Sequence, residues 1–301
     1  MHSIDFPTLL TIMYVLVDDW YKQQAPRWLT GRVGAKPAFS DPELITLMLA
    51  MDFLCFESES QFLSFMRANY LPLFPRLCDQ SQFNRRARAL RLAVEELRRA
   101  WLTELAATDD RFFLLDTKPV PVTGYKRSKK RSDFRRSAGY GYCSARRLHY
   151  FGYKLVAVTT FSGLPVAYEL VAANTDERVA AEEVLCVLRS CDIFGDKGFV
   201  GADWQREVTE QTGNRVWTAK RINQKEQNPP RFYRLLSSVR ERIEGSFNEL
   251  QNTGRNLERL LAKTVVGLST RVIAKVTSYT LKVLLRHSFG LDVQTFQVAD
   301  A

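Results

Sequence analysis

The sequence predicts an α/β protein built from an all-helical N-terminal region (1–108), a domain over 109–290 whose mixed sheet is flanked by helices, and a tail (291–301). Two observations carry this. Up to about Ala107 apolar side chains recur at helical spacing, whereas from Arg111 short β-branched or aromatic runs, bounded by glycine and proline, alternate with amphipathic stretches. The order after Thr108-Asp109-Asp110 is strand, strand, strand, helix, strand, helix, strand, long helix.

Each element has a local reason. Phe6 to Gln24 places Leu9, Leu10, Met13, Leu16, Val17 and Trp20 on one helical face. Ser40-Asp41-Pro42-Glu43 is a capped start with proline in the first turn, opening a helix expected to run to about Phe56. Another spans about Ser60 to Tyr70 and stops before Pro72 and Pro75. Asp79 then caps a helix whose early turns carry Arg85, Arg86 and Arg88. This has the look of the recognition helix of a helix-turn-helix unit; a solvated basic face fits equally well. Helix continues from Leu90 to Ala107.

The second region opens on Arg111-Phe-Phe-Leu-Leu-Asp116-Thr117, a buried strand closed by Pro119 and Pro121 that delivers one carboxylate to its end. A basic loop (124–148) follows. It holds Lys126, Arg127, Lys129, Lys130, Arg131, Arg135, Arg136, Arg146 and Arg147 against one acid, Asp133, with Tyr125, Phe134, Tyr140 and Tyr142 between them. Such blocks grip phosphates and stack on unpaired bases, or are merely solvated. Tyr150 to Phe161, Ser162-Gly163 and Leu164 to Val171 form an antiparallel hairpin. His149 beside it is one of three histidines and has no spacing partner for metal binding. Then come a helix (Glu177 to Ser190), a strand (Asp192 to Gly195), a helix (Ala202 to Gln211), a strand (Arg215 to Ala219), the long helix beyond Arg231, and an apolar helix (Thr264 to His287) expected to close the domain.

Two more acids stand out. Asp196 follows its strand between Gly195 and Gly198, so the chain can turn sharply around it. On the long helix Leu236, Val239, Ile243, Phe247 and Leu250 form the packed stripe; Arg240 and Glu244 lie on its flank, while Glu241 and Glu249 point away. Asp116, Asp196 and Glu244 are hard oxygen donors of the kind Mg²⁺ takes, and two such ions about 3.5–4 Å apart activate one oxygen and stabilise another in phosphoryl transfer. Asp192, four residues before Asp196, is the rival for the second position.

These blocks resemble the DDE transposases of bacterial insertion sequences, most closely the nine-eighty-two family. The resemblance rests on Leu114-Leu115-Asp116, Asp196-Lys197-Gly198-Phe199 and Arg240-Glu-Arg-Ile-Glu244. The related pattern Y-x2-R-x3-E-x6-K maps onto Arg240 and Glu244; Ser237 and Gln251 stand in place of its Tyr and Lys. The resemblance implies a ribonuclease-H-like sheet and catalytic, metal-holding roles for Asp116, Asp196 and Glu244, with Arg240 and Lys197 in support. It also implies two Mg²⁺ ions, replaceable by Mn²⁺, cleavage at element ends and strand transfer into target DNA, and a homodimer on DNA whose helical region reads the terminal inverted repeats.

Composition agrees. With 46% hydrophobic and 25% charged residues the chain is globular, and a formal net charge of +10 favours a polyanionic partner. Five cysteines, odd in number and widely spaced, argue against a disulfide framework or zinc site. The longest apolar run, Leu9 to Val17, is too short for a bilayer, so the expectation is a cytoplasmic, nucleoid-associated bacterial protein. Two other readings stay open: a catalytically silent DNA binder, and a metal-dependent nuclease that never joins strands.

Overall fold

The computed structural model describes residues 4–31, 34–54, 56–123, 132–143, 147–220, 229–252 and 256–296. By contacts the chain divides into two units, one made of 1–105 with 251–301 and the other of 106–250.

The first unit is helical. Helix α1 (Phe6–Gln23) starts where the Thr8 N–H donates to the Asp5 carboxylate at 2.7 Å. After the short α2 (Arg27–Thr30), α3 (Asp41–Ala50) carries the full capping box. There the Ser40 N–H donates to Glu43 at 2.6 Å and the Glu43 N–H to Ser40 Oγ at 3.3 Å. Helix α3 stops at Ala50 and tightens into a 3-10 turn (Met51–Phe53), earlier than its apolar pattern suggests. Helices α4 (Glu59–Asn69) and α5 (Gln80–Glu104) follow, α5 capped by Asp79 as its sequence requires.

The second unit holds the sheet. Strands β1 (Phe112–Thr123), β2 (Gly139–Cys143), β3 (Leu148–Thr160) and β4 (Pro165–Ala172) precede helix α6 (Glu177–Leu185). Strand β5 (Asp192–Gly195), helix α7 (Ala202–Thr212), strand β6 (Arg215–Thr218) and helix α8 (Pro230–Asn252) complete it. The central path runs β4-β3-β1-β5-β6, with β1, β3 and β4 antiparallel and β5 and β6 parallel to β1. Three antiparallel strands followed by two parallel ones reached through helices is the ribonuclease-H-like arrangement, and the fold is of that class. Strand β2 pairs with Leu148–Gly152 of β3, in line with β4, which pairs with Tyr153–Thr159. The reading of 124–148 as a loop therefore needs correction over 139–143, which is strand.

The first strand also differs from its sequence reading. It does not end at Pro119 but passes through Pro119 and Pro121 to Thr123. Strand β5 accompanies β1 only as far as Leu115, so beyond it one edge of β1 is open and a missing N–H costs no ladder bond there. Asp116 consequently lies within a strand, where one neighbour falls away. Further along, the β1–β3 register slips between Pro121 and Thr123, and the Val120 carbonyl approaches Gly152 so closely that a Cβ there would sit 2.3 Å from it.

Helix α9 (Val265–Phe289) was expected to close the sheet domain and instead packs on α3 and α5 in the helical unit. It is buried nearly all round, with Val272, Val276, Leu281, Leu284 and Leu285 fully buried and polar Thr277 and Thr280 buried beside them, so it has cover on several sides. The Ser278 hydroxyl donates to the Leu49 carbonyl at 3.0 Å across that packing. The start of the tail is held in place: Val293 is buried, and the Phe296 N–H donates to the Phe53 carbonyl at 2.8 Å. Among the described residues no helix is long and apolar enough to cross a membrane.

Candidate active site

Strand pairing brings two of the sequence-predicted acids together. Strands β1 and β5 run in parallel register from Phe112↔Asp192 to Leu115↔Gly195, and the next residue on each chain is Asp116 and Asp196. Two carboxylates thus emerge on neighbouring strands, which lie about 4.8 Å apart. Asp196 leaves its strand in a 3-10 turn (Lys197–Phe199), held by the Gly198 N–H donating to its Oδ1 at 2.7 Å. Asp196 is exposed; Asp116 is half-buried.

Side-chain alternation puts Asp116 and Lys118 on one face of β1 and Thr117 on the other. Helix α8 covers the Asp116 face, since the Lys118 ammonium lies 5.6 Å from the centroid of the buried Phe247 ring. Glu244 precedes Phe247 by three residues, about 4.5 Å along the helix axis. It is exposed. The side chain of Arg240, one turn earlier, lies outside what the structure describes.

A third acid joins the pair from an unexpected place. Glu177, in the first turn of α6, accepts from Thr117 Oγ1 at 3.3 Å, and its Oε2 occupies the space beside the bare Cα of Gly198. Sequence reasoning missed it because an acid in the first turn of a helix is ordinary helix chemistry, and nothing local marks its partner 60 residues upstream.

The electrostatics follow from this crowding. Burial pushes the Asp116 carboxyl from 3.8 up to about 7; Lys118 and the Thr117 N–H oppose the rise, while Asp196 and Glu177 add to it. Burial also raises Glu177, helped by Asp196 and resisted by Lys154 and the Thr117 hydroxyl. Acids that disfavour one another's charge, with oxygen donors only, have the chemistry of a hard divalent-cation site. Among the described residues, however, no three such side chains stand close enough to form a ready-made cage.

Asp192 sits elsewhere. It lies beside Phe112, four residues or about 13 Å along the strand from the level of Asp116. Its buried carboxylate accepts from Arg215 and from Trp217 Nε1, each at 2.8 Å, with Arg111 at 3.7 Å. Burial works to raise this carboxyl, but the Trp217 and Arg215 bonds and the arginine charges together hold it below the ordinary value.

The basic residues fall into distinct settings. Arg85 is exposed, whereas Arg86 donates to Asp41 at 2.8 Å and to the Phe39 carbonyl at 2.7 Å, and the Nε of Arg88 is buried without a hydrogen-bond partner among the described residues. Arg135, Arg136, Arg147 and Lys197 are exposed. Lys126, Arg127, Lys129, Lys130, Arg131 and Arg146 lie outside the described residues. Of the departures from the related helix pattern, Ser237 is exposed, and Gln251 is buried and donates to Glu258 at 3.0 Å.

No curated protein matches the chain by sequence. Among solved structures, a chain of the crystal structure of the Mos1 strand transfer complex shares 16% identity over 98% of this chain and 100% of its own, at a TM-score of 0.23. A family model described as the transposase DDE domain matches residues 107–281, from just before β1 well into α9. That match takes in more than half of the sequence and every strand of the sheet, and the chain belongs to the transposase DDE domain family.

Proposed function

We propose that this protein is a DDE transposase of an insertion sequence, similar to those of the nine-eighty-two family, which cleaves DNA at its element's ends and transfers the strands into target DNA. The observation that carries the reading is the β1–β5 register, which sets Asp116 beside Asp196 at the point where β5 ends and one edge of β1 is open. Asp116, Asp196 and Glu244 are the proposed catalytic and metal-holding residues.

When bound, Mg²⁺, or Mn²⁺ in its place, supplies Lewis-acid stabilisation of the attacking and leaving oxygens of a phosphodiester; two ions are proposed. The chain's own part is positional. Strands β1 and β5 fix the spacing of Asp116 and Asp196, and a rigid sheet holds such donors better than loops do. Helix α8, which meets the face of β1 that Lys118 shares with Asp116 through Phe247, carries Glu244 three residues before that contact, and Glu244 is proposed as the third acid. Lys118 offsets part of the negative charge beside Asp116. Arg240 and Lys197 are proposed to support the acids or touch phosphate.

Double-stranded DNA is the proposed partner, with Arg135, Arg136 and Arg147 near the sheet and Arg85 in the helical unit contacting backbone phosphate, in keeping with the net charge of +10. Lys126, Arg127, Lys129, Lys130, Arg131 and Arg146 would extend that contact, and a homodimer would hold two ends at once. The test is a cleavage and joining assay on duplexes carrying the element's terminal repeats, with Mg²⁺ and with EDTA. Metal-dependent nicking and joined products, both lost in Asp116→Asn, Asp196→Asn and Glu244→Gln, are expected. Nicking that survives Glu244→Gln would remove that residue from the site, cutting without joining would leave a nuclease, and binding without cutting a silent DNA binder.

A further inference from the structure

We propose that Glu177 is a positioning residue for Asp196: wedged between Thr117 and the bare Cα of Gly198, its carboxylate fixes the turn from which the second acid is presented. The inference rests on the reading of Asp196 as a metal-holding residue, and its geometry is independent of that reading. A Cβ on Gly198 would lie 1.5 Å from Glu177 Oε2 and 2.9 Å from Asp196 Oδ1, so the glycine is where two carboxylates from different elements close on one backbone position. Below 3.0 Å something must shift.

Each oxygen involved has an assignment. Glu177 Oε1 accepts from Thr117 Oγ1 at 3.3 Å, which ties α6 to the strand residue next to Asp116. Glu177 Oε2 abuts Gly198, and the Gly198 N–H donates to Asp196 Oδ1. Asp196 Oδ2 has no hydrogen-bond partner among the described residues. The contact is thus a short relay from β1 through α6 to the turn after β5, linking the strand of the first acid to the backbone that aims the second. Its cost is repulsion between Glu177 and Asp196, which a cation beside Asp196 would relieve. Hydrogen-bonded neighbours that orient a ligating carboxylate typically change metal affinity 10- to 100-fold when replaced.

The test uses the full-length protein and two readouts. In EDTA, Gly198→Ala lowers the melting temperature, and adding Glu177→Ala to it restores part of the loss, because the flexible carboxylate that met the new methyl is gone. Effects that simply add in the double variant would overturn the proposed contact, whatever the protein does to DNA. With Mg²⁺ as probe, Glu177→Asp, too short to reach Gly198, is expected to raise the half-saturating concentration about 10-fold, read as Mg²⁺-induced thermal stabilisation, whereas Glu177→Gln, which keeps the shape and the Thr117 bond, should stay near wild type. A half-saturation equal to wild type in Glu177→Asp, or a shift in Glu177→Gln as large as in Glu177→Asp, would refute the positioning role, the latter assigning the effect to charge; no Mg²⁺ response in wild type either would refute instead the reading of Asp196 as a metal-holding residue, on which it rests.

Discussion

Replacing Asp116 by Asn should stabilise the metal-free protein at alkaline pH, and the size of the gain follows from the site's geometry. Burial and two neighbouring acids raise this carboxyl from 3.8 to about 7. A carboxyl raised on folding holds its proton in the folded chain after the unfolded chain has lost it. Stability therefore falls as pH climbs from about 4 to about 7, and the full cost is present above that window. A rise of that size corresponds to a ceiling of about 4 kcal/mol, and the partial exposure of Asp116 to solvent brings the expected cost to about 2 kcal/mol. Asparagine keeps the shape and carries no charge. Urea denaturation in EDTA at pH 4.5 and pH 8, on wild type and Asp116→Asn, isolates the effect, because the other titrating groups cancel in the difference. The variant should be more stable by about 2 kcal/mol at pH 8 and by about half of that at pH 4.5, where the unfolded carboxyl is already mostly ionised. Adding Mg²⁺ at pH 8 should narrow the gap by stabilising wild type alone. A variant less stable than wild type at pH 8, or a gap that does not shrink on acidification, refutes the argument that Asp116 is held against its own charge.

Other substitutions separate scaffold from site. Asp192→Asn should cost about 1–2 kcal/mol of stability, since its Arg215 and Trp217 bonds weaken, while the folded variant still cleaves DNA. Because its carboxyl sits below the ordinary value, that contribution is present above the usual carboxylate range and fades as pH falls through the lowered one; loss of cleavage in Asp192→Asn but not Asp196→Asn would reverse the assignment. Arg86→Ala strips the counter-charge from Asp41, whose side chain is 9% exposed, and should cost about 3 kcal/mol in chemical denaturation. The exposed Arg85→Ala should leave stability unchanged and lower the salt dependence of DNA binding by about one phosphate contact, measured as the slope of affinity against salt. Gly152→Ala forces a methyl against the Val120 carbonyl and should destabilise by about 1–3 kcal/mol, visible as a lowered urea midpoint.

Much of the scaffold is written locally. Ser40 and Glu43 specify where α3 begins, Asp79 where α5 begins, and the run from Phe112 to Leu115 is strand by composition alone, because capping and strand preference act over a few residues. The acids Asp116 and Asp196 are visible too, as charges that end apolar runs. What the sequence could not decide were properties of pairing. Pro119 and Pro121 read as a strand end, yet β1 passes through them, because only the tertiary arrangement reveals that β5 stops at Gly195 and leaves that edge without a ladder to break. The choice between Asp192 and Asp196 turned on register: one falls beside Phe112 under two arginines, the other at the level of Asp116. Glu177 came into view only through Thr117 and Gly198, contacts 60 and 21 residues away whose energy depends on distance in space and not on position in the chain. Helix α9 was apolar enough to be recognised as buried, but an apolar helix does not say which neighbours will bury it. Local chemistry fixed the identity of the elements; long-range packing fixed which of their charges meet.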